Sequence, residues 1–116
     1  MLFMRAECIS GDERKKMRWI ETIKVQSATG KEQTIENELI VLAHEAQKSL
    51  NCQGLREAIV SRHASVPGHL AIHLIWDTEC PQIQGSLLGL SLAQSMRDFG
   101  LVDHSVWIEN RRIQEG

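Results

Sequence analysis

Five histidines and three cysteines carry most of the reactive chemistry in this 116-residue sequence. His63, His69 and His73 fall together between Leu55 and Asp77, and imidazole is both a common metal ligand and an acid or base near neutral pH. On a β-hairpin, His63 and His69 would pair across the turn, leaving His73 four residues further along its strand, at about 7 Å per two-residue step. One ion would reach all three only with bending and a fourth ligand, so solvated turn histidines are expected and a metal is not. His73, between Ile72 and Leu74, is the candidate for acid or base work, or for a hydrogen bond inside a subunit interface. Cys8, Cys52 and Cys80 are odd in number and lack CxxC spacing, a pattern of reduced thiols rather than of a disulfide framework. A nucleophilic cysteine needs an adjacent base, and none is identifiable. No dinucleotide or phosphate loop, GxSxG elbow or HExxH pair occurs.

The elements that must position these residues follow from periodicity. Leu55–His63 and His69–Asp77 are alternating, β-rich runs joined at Ala64-Ser65-Val66-Pro67-Gly68, where Pro67 cannot donate to a ladder and Gly68 tolerates positive φ. Pairing His63 with His69 sets Ser61 opposite Ala71, Ile59 opposite His73 and Glu57 opposite Ile75. The other face carries Ala58, Val60, Leu70, Ile72, Leu74 and Trp76 and belongs under helices. Arg18–Ser27 alternates as a first strand, with Trp19, Glu21, Ile23 and Val25 in phase. Glu21 and Lys24 read most simply as surface or sheet-end charges. Thr34–Leu50 has an apolar stripe at Ile35, Leu39, Leu42, Ala46 and Leu50, with Thr34 as N-cap. Gly85–Phe99 is a second helix with its stripe at Leu88, Leu92, Met96 and Phe99, stopped by Gly100; Gly89 within it implies close packing. Val102–Glu109 is the last strand.

The order βαββαβ with right-handed crossovers gives strand order 4-1-3-2 and both helices on one face, a ferredoxin-like α+β sandwich. Residues 1–16 read as a flexible extension, with Met17 a candidate start. Residues 17–110 form the single domain and 111–116 a polar tail. A net charge of −2 offers no basic surplus for nucleic acid. No apolar run is long enough to span a membrane, and no secretory leader is evident, so the cytoplasm is the expected location. The uncovered sheet face would expose Ile59, Ala71, Ile75 and Trp107 with His73, Thr22 and Lys24. Apolar area of that kind is usually covered, and a homodimer formed sheet to sheet is the expected partner.

The run Ile72-His73-Leu74-Ile75-Trp76-Asp77 before the second helix, and the closing Val102-Asp103-His104-Ser105-Val106-Trp107, resemble the dimeric α/β-barrel superfamily, in particular its antibiotic-biosynthesis-monooxygenase-like branch. The resemblance covers about Arg18 to Glu109. It implies two sheets facing across a barrel, a pocket between each sheet and its helices, and relatives that include cofactor-independent oxygenases of phenolic polyketides and haem-degrading enzymes. In the haem-degrading members an Asn on the first strand, a Trp on the third and a His on the second helix do the work. Trp76 matches the Trp, but the first strand has no Asn and residues 85–99 no His, so no cofactor is expected.

Two function classes follow: a small-molecule, monooxygenase-like enzyme, and a non-catalytic ligand-binding or regulatory domain. The ligand pocket, if present, is expected where the helix stripes cross the third strand, bounded by Trp76, Leu39, Leu42, Leu92 and Met96. An enclosed cavity of roughly 300 Å³ or more with converging polar groups favours the enzyme.

Overall fold

The computed structural model describes residues 16–28, 30–49 and 52–113. The extension expected before Met17 lies outside these residues, apart from Lys16, and so does the end of the tail. The elements are β1 (Met17–Ser27), α1 (Glu32–Ser49), β2 (Leu55–Arg62), β3 (His69–Thr78), α2 (Leu87–Met96) and β4 (Gly100–Ile108). The four strands form one antiparallel sheet in the order β2-β3-β1-β4. This is the ferredoxin-like arrangement.

Alternation decides which side chains meet the helices. Trp19, Ile23 and Val25 of β1 and Leu70, Ile72, Leu74 and Trp76 of β3 are buried with Ile35 and Leu39 of α1 and Leu88, Leu92 and Met96 of α2. The opposite phase faces away. There Ser61 pairs with Ala71, Ile59 with His73 and Glu57 with Ile75, as the hairpin reading expects. A register shift between Leu55 and Glu57 bends the start of β2.

The turn is clamped to the neighbouring strand. Gly68 takes φ 86°, and its carbonyl accepts both the Ser27 backbone N–H at 2.9 Å and the Ser27 hydroxyl at 3.1 Å. A Cβ at Gly68 would collide with the Ser27 carbonyl.

Helix boundaries differ from expectation for identifiable reasons. α1 starts at Glu32, so Thr34 lies inside it and is not its cap. The Ile35 N–H bonds the Lys31 carbonyl at 3.0 Å, and the Glu32 carboxylate turns back to accept the Gly30 N–H at 2.9 Å. α2 is shorter than Gly85–Phe99. Ser86 caps it, accepting the Gly89 N–H at 2.9 Å. Gly100 is not its stop but the first residue of β4, opposite Ser27.

Candidate functional site

Glu21 is the feature the sequence reading missed. The sequence places it as a surface or sheet-end charge, yet it is 0% exposed in the middle of β1's covered face. Its phase with Trp19, Ile23 and Val25 was the available signal, since strand alternation carries every second residue to the same side. Isolated burial of a carboxylate costs several kcal/mol, and here hydrogen bonds offset that cost. Oε1 accepts the Ser86 hydroxyl at 2.7 Å and the Trp76 indole N–H at 3.1 Å. Oε2 accepts the Ser86 backbone N–H at 3.0 Å and lies 2.6 Å from His104 Nε2. Amide and indole N–H groups can only donate, so each carboxylate oxygen accepts at least one hydrogen bond. Among the described residues no buried side-chain nitrogen or oxygen lacks a partner.

Three elements converge to build this network. β3 brings Trp76, the start of α2 brings Ser86, and β4 brings His104, which lies on the covered face in phase with Val102 and Val106. The two glycines ahead of and within α2 make room. Gly85, at φ 111°, lies against His104, and a Cβ at Gly89 would collide with the Glu21 carboxylate. The close packing expected at Gly89 is therefore packing against a charge. Ser86 has both roles at once: its hydroxyl accepts from Gly89 and donates to Glu21.

A half-open cleft of about 210 Å³ lies beside this network, lined among others by Trp19, Gln53, Trp76, Thr78, Ser86 and Leu88. Trp19 and Trp76 stack with ring centroids 5.3 Å apart and planes 12° from parallel. The Trp19 indole N–H donates to Thr78 Oγ1 at 2.9 Å, and the Thr78 hydroxyl donates to the Cys80 carbonyl at 2.8 Å. The cleft thus combines an indole wall with Ser86, the residue that joins it to Glu21. Beyond Glu21 stands His104, whose side chain is 15% exposed. Ser86, Glu21 and His104 thus form a continuous hydrogen-bonded line leading away from the cleft.

Of the residues expected to bound a pocket, Trp76 lines this cleft and is 4% exposed. Leu39, Leu92 and Met96 lie in the packed core and do not line it, and Leu42 is half-buried against that core. The cleft beside Trp76 lies at the strand end, where the indoles meet the loop leading into α2.

His73 is on the open face, as expected. Its Nδ1 lies 3.2 Å from Thr22 Oγ1 and its Nε2 3.1 Å from Ser61 Oγ, tying three strands together. His63 and His69 meet edge to face at 5.8 Å. Among the described residues no group of three or more His, Cys, Asp or Glu side chains could hold a metal ion. Cys52 packs against the core, and burial pushes its thiol up from the ordinary value, which favours an inert thiol over a thiolate.

No protein-family model matches the chain, and no curated protein matches it. Solved structures do. A candidate antibiotic biosynthesis monooxygenase from Deinococcus radiodurans superposes with a TM-score of 0.53 at 17% identity, covering 86% of this chain and 99% of that one. SnoaB, a cofactor-independent oxygenase from Streptomyces nogalater, superposes with a TM-score of 0.51 at 9% identity, covering 87% and 99%. At these identities the likeness is one of fold. The chain has the ferredoxin-like fold of the antibiotic-biosynthesis-monooxygenase-like proteins. No helix among the described residues is long and apolar enough to cross a membrane.

Proposed function

We propose that this protein is a homodimeric, monooxygenase-like enzyme that takes a small phenolic molecule into the cleft beside Trp76 and Ser86. The observation that carries this reading is the buried Glu21 carboxylate, linked through the Ser86 hydroxyl to the cleft wall. A core built for stability alone is served as well by an apolar side chain there. The neighbouring fold in SnoaB, a cofactor-independent oxygenase, suggests the reaction class.

In the reaction proposed here an activated methylene between aromatic rings loses a proton, and the resulting anion passes electrons to molecular oxygen. One oxygen atom becomes a ketone and the other leaves as water, so R2CH2 and O2 give R2CO and H2O. The Ser86–Glu21–His104 line serves the proton, and the indole wall orients the rings. Anthrone is a direct probe. Oxygen uptake should accompany formation of the ketone, and Ser86→Ala should slow it while leaving the chain folded. Absence of both turnover and saturable anthrone binding overturns the reading.

One observation favours a non-catalytic ligand-binding domain: the cleft is about 210 Å³, below the roughly 300–1,000 Å³ of ordinary ligand pockets. Saturable anthrone binding without oxygen uptake decides for that alternative.

The dimer rests on the open face, where Ile59 is 44% and Trp107 64% exposed. Sheet-to-sheet contact would cover Ile59, Ala71, His73 and Ile75. Sedimentation at micromolar concentration should show twice the 13.1 kDa chain mass. His73→Glu or Ile75→Glu should weaken association, because each places a charge where it must be desolvated without a partner. A persistent monomer overturns the dimer.

A further inference from the structure

The walls of the cleft beside Trp76 and Ser86 are polar, yet their indole and hydroxyl protons are already committed. The Trp19 indole N–H goes to Thr78 Oγ1 and the Trp76 indole N–H to Glu21. The Ser86 hydroxyl donates to Glu21, and the Thr78 hydroxyl donates to the Cys80 carbonyl. A hydroxyl oxygen has two accepting positions. Thr78 Oγ1 uses one for Trp19, and Ser86 Oγ uses one for the Gly89 N–H. Each therefore meets a ligand as an acceptor. Ser86 is 3% exposed whereas Thr78 is half-buried, so Thr78 is the one a ligand reaches. The amide side chains of the lining, Gln53 and Gln82, belong to exposed residues.

Charge is arranged in the same sense. Among the described residues no Lys, Arg, His, Asp or Glu side chain lines the cleft. The Glu21 carboxylate stands behind Ser86, where it accepts the backbone N–H of α2's cap residue. A helix N-terminus favours negative charge, and at α2 that preference is met from within the chain. A ligand anion in the cleft would give up solvent, find no cationic side chain and face a second carboxylate across Ser86.

We propose that the cleft selects its ligand by hydrogen-bond polarity and charge. It takes an uncharged aromatic whose hydroxyl donates to Thr78 Oγ1, and it turns away the same aromatic carrying a carboxylate. Resting on the reading of this cleft as the ligand site, the proposal adds Thr78 as the residue that reads the ligand.

Three naphthalenes differing at one substituent are the probes. At neutral pH 2-naphthol donates, 2-methoxynaphthalene can only accept, and 2-naphthoate is an anion. Each is titrated into the full chain and followed by amide chemical shifts and calorimetry. Naphthol should bind saturably and move the amides of Thr78, Gln82 and Leu88, and the ether and naphthoate should each bind at least about tenfold more weakly. Thr78→Val, which keeps the shape and removes the acceptor, should lower naphthol to the affinity of the ether, and Thr78→Ser should retain the preference. Gln82→Lys, at an exposed position that leaves the Thr78 bonds intact, should strengthen naphthoate about tenfold and leave naphthol unchanged. Four results overturn the proposal: no saturable naphthol binding, equal binding of naphthol and its ether, naphthoate binding as tightly as naphthol, or naphthoate unmoved by Gln82→Lys. Anthrone separates this selection rule from the reaction. Anthrone oxidised by a chain that binds naphthol and ether equally overturns the rule and leaves the reaction standing. Naphthol preferred by a chain that neither binds nor oxidises anthrone supports the rule and overturns the reaction.

Discussion

The two faces of this sheet treat a polar residue in opposite ways. On the covered face, Glu21 is held by groups from β3, α2 and β4. On the open face, adjacent Thr22 meets His73, and His73 meets Ser61, all within the sheet itself. The first arrangement exists only when the layers are packed; the second needs no helix at all. Covered-face polarity is therefore tied to global stability, whereas open-face polarity is free to be tuned for a partner.

Glu21→Ala tests the covered side most severely. It leaves the Trp76 indole and the Ser86 backbone N–H buried without their acceptor and should cost about 3–5 kcal/mol in urea unfolding. A loss below about 1 kcal/mol would mean that the donors find other acceptors and the contrast between faces is false.

Gly89→Ala comes next, and its sign is informative. Replacing glycine by alanine within a helix ordinarily stabilises by up to about 1 kcal/mol. Here the new Cβ meets the Glu21 carboxylate, so a net loss of about 1–3 kcal/mol is expected from overpacking. Thermal unfolding of the single and double variants with Glu21→Ala should show strong non-additivity, because the collision vanishes with the carboxylate.

On the open side, His73→Ala should cost less than about 1.5 kcal/mol in the isolated chain, and its larger effect should fall on association. Equal losses for His73→Ala and Glu21→Ala in unfolding of the monomer would erase the distinction between the faces.

The smallest effect lies outside both. Its own backbone N–H first, then those of Gly30 and Gly68, hold the fully exposed Glu32 carboxylate below its ordinary range. A depressed folded value means stability present above the unfolded value and lost as pH falls through the folded one. Glu32→Gln should therefore flatten the acid limb of the stability curve by slightly lowering stability at neutral pH while leaving low pH unchanged, as urea unfolding across pH would show.

The fold was legible because alternation and turn chemistry agree. Pro67-Gly68 located the hairpin, and its register placed His73 opposite Ile59. The site was less so. A glutamate in a strand is usually solvated, and that prior outweighed Glu21's phase with Trp19, Ile23 and Val25. His104 is likewise in phase with Val102 and Val106 on β4's covered side. Gly89 was read as a packing residue, but periodicity cannot say what it packs against. The expectation of a pocket at Leu39, Leu92 and Met96 rests on where the helix stripes cross the sheet, and those side chains belong to the buried core.

The sequence contains three tryptophans, and their placement gives the molecule two built-in optical reporters. Trp19 and Trp76 are stacked inside the covered face, whereas Trp107 is 64% exposed on the other. Emission from the stacked pair follows unfolding. Quenching of Trp107 by iodide follows only what happens to the open face. Loss of that quenching with the buried signal unchanged would register a partner's arrival on the native chain, without any added label.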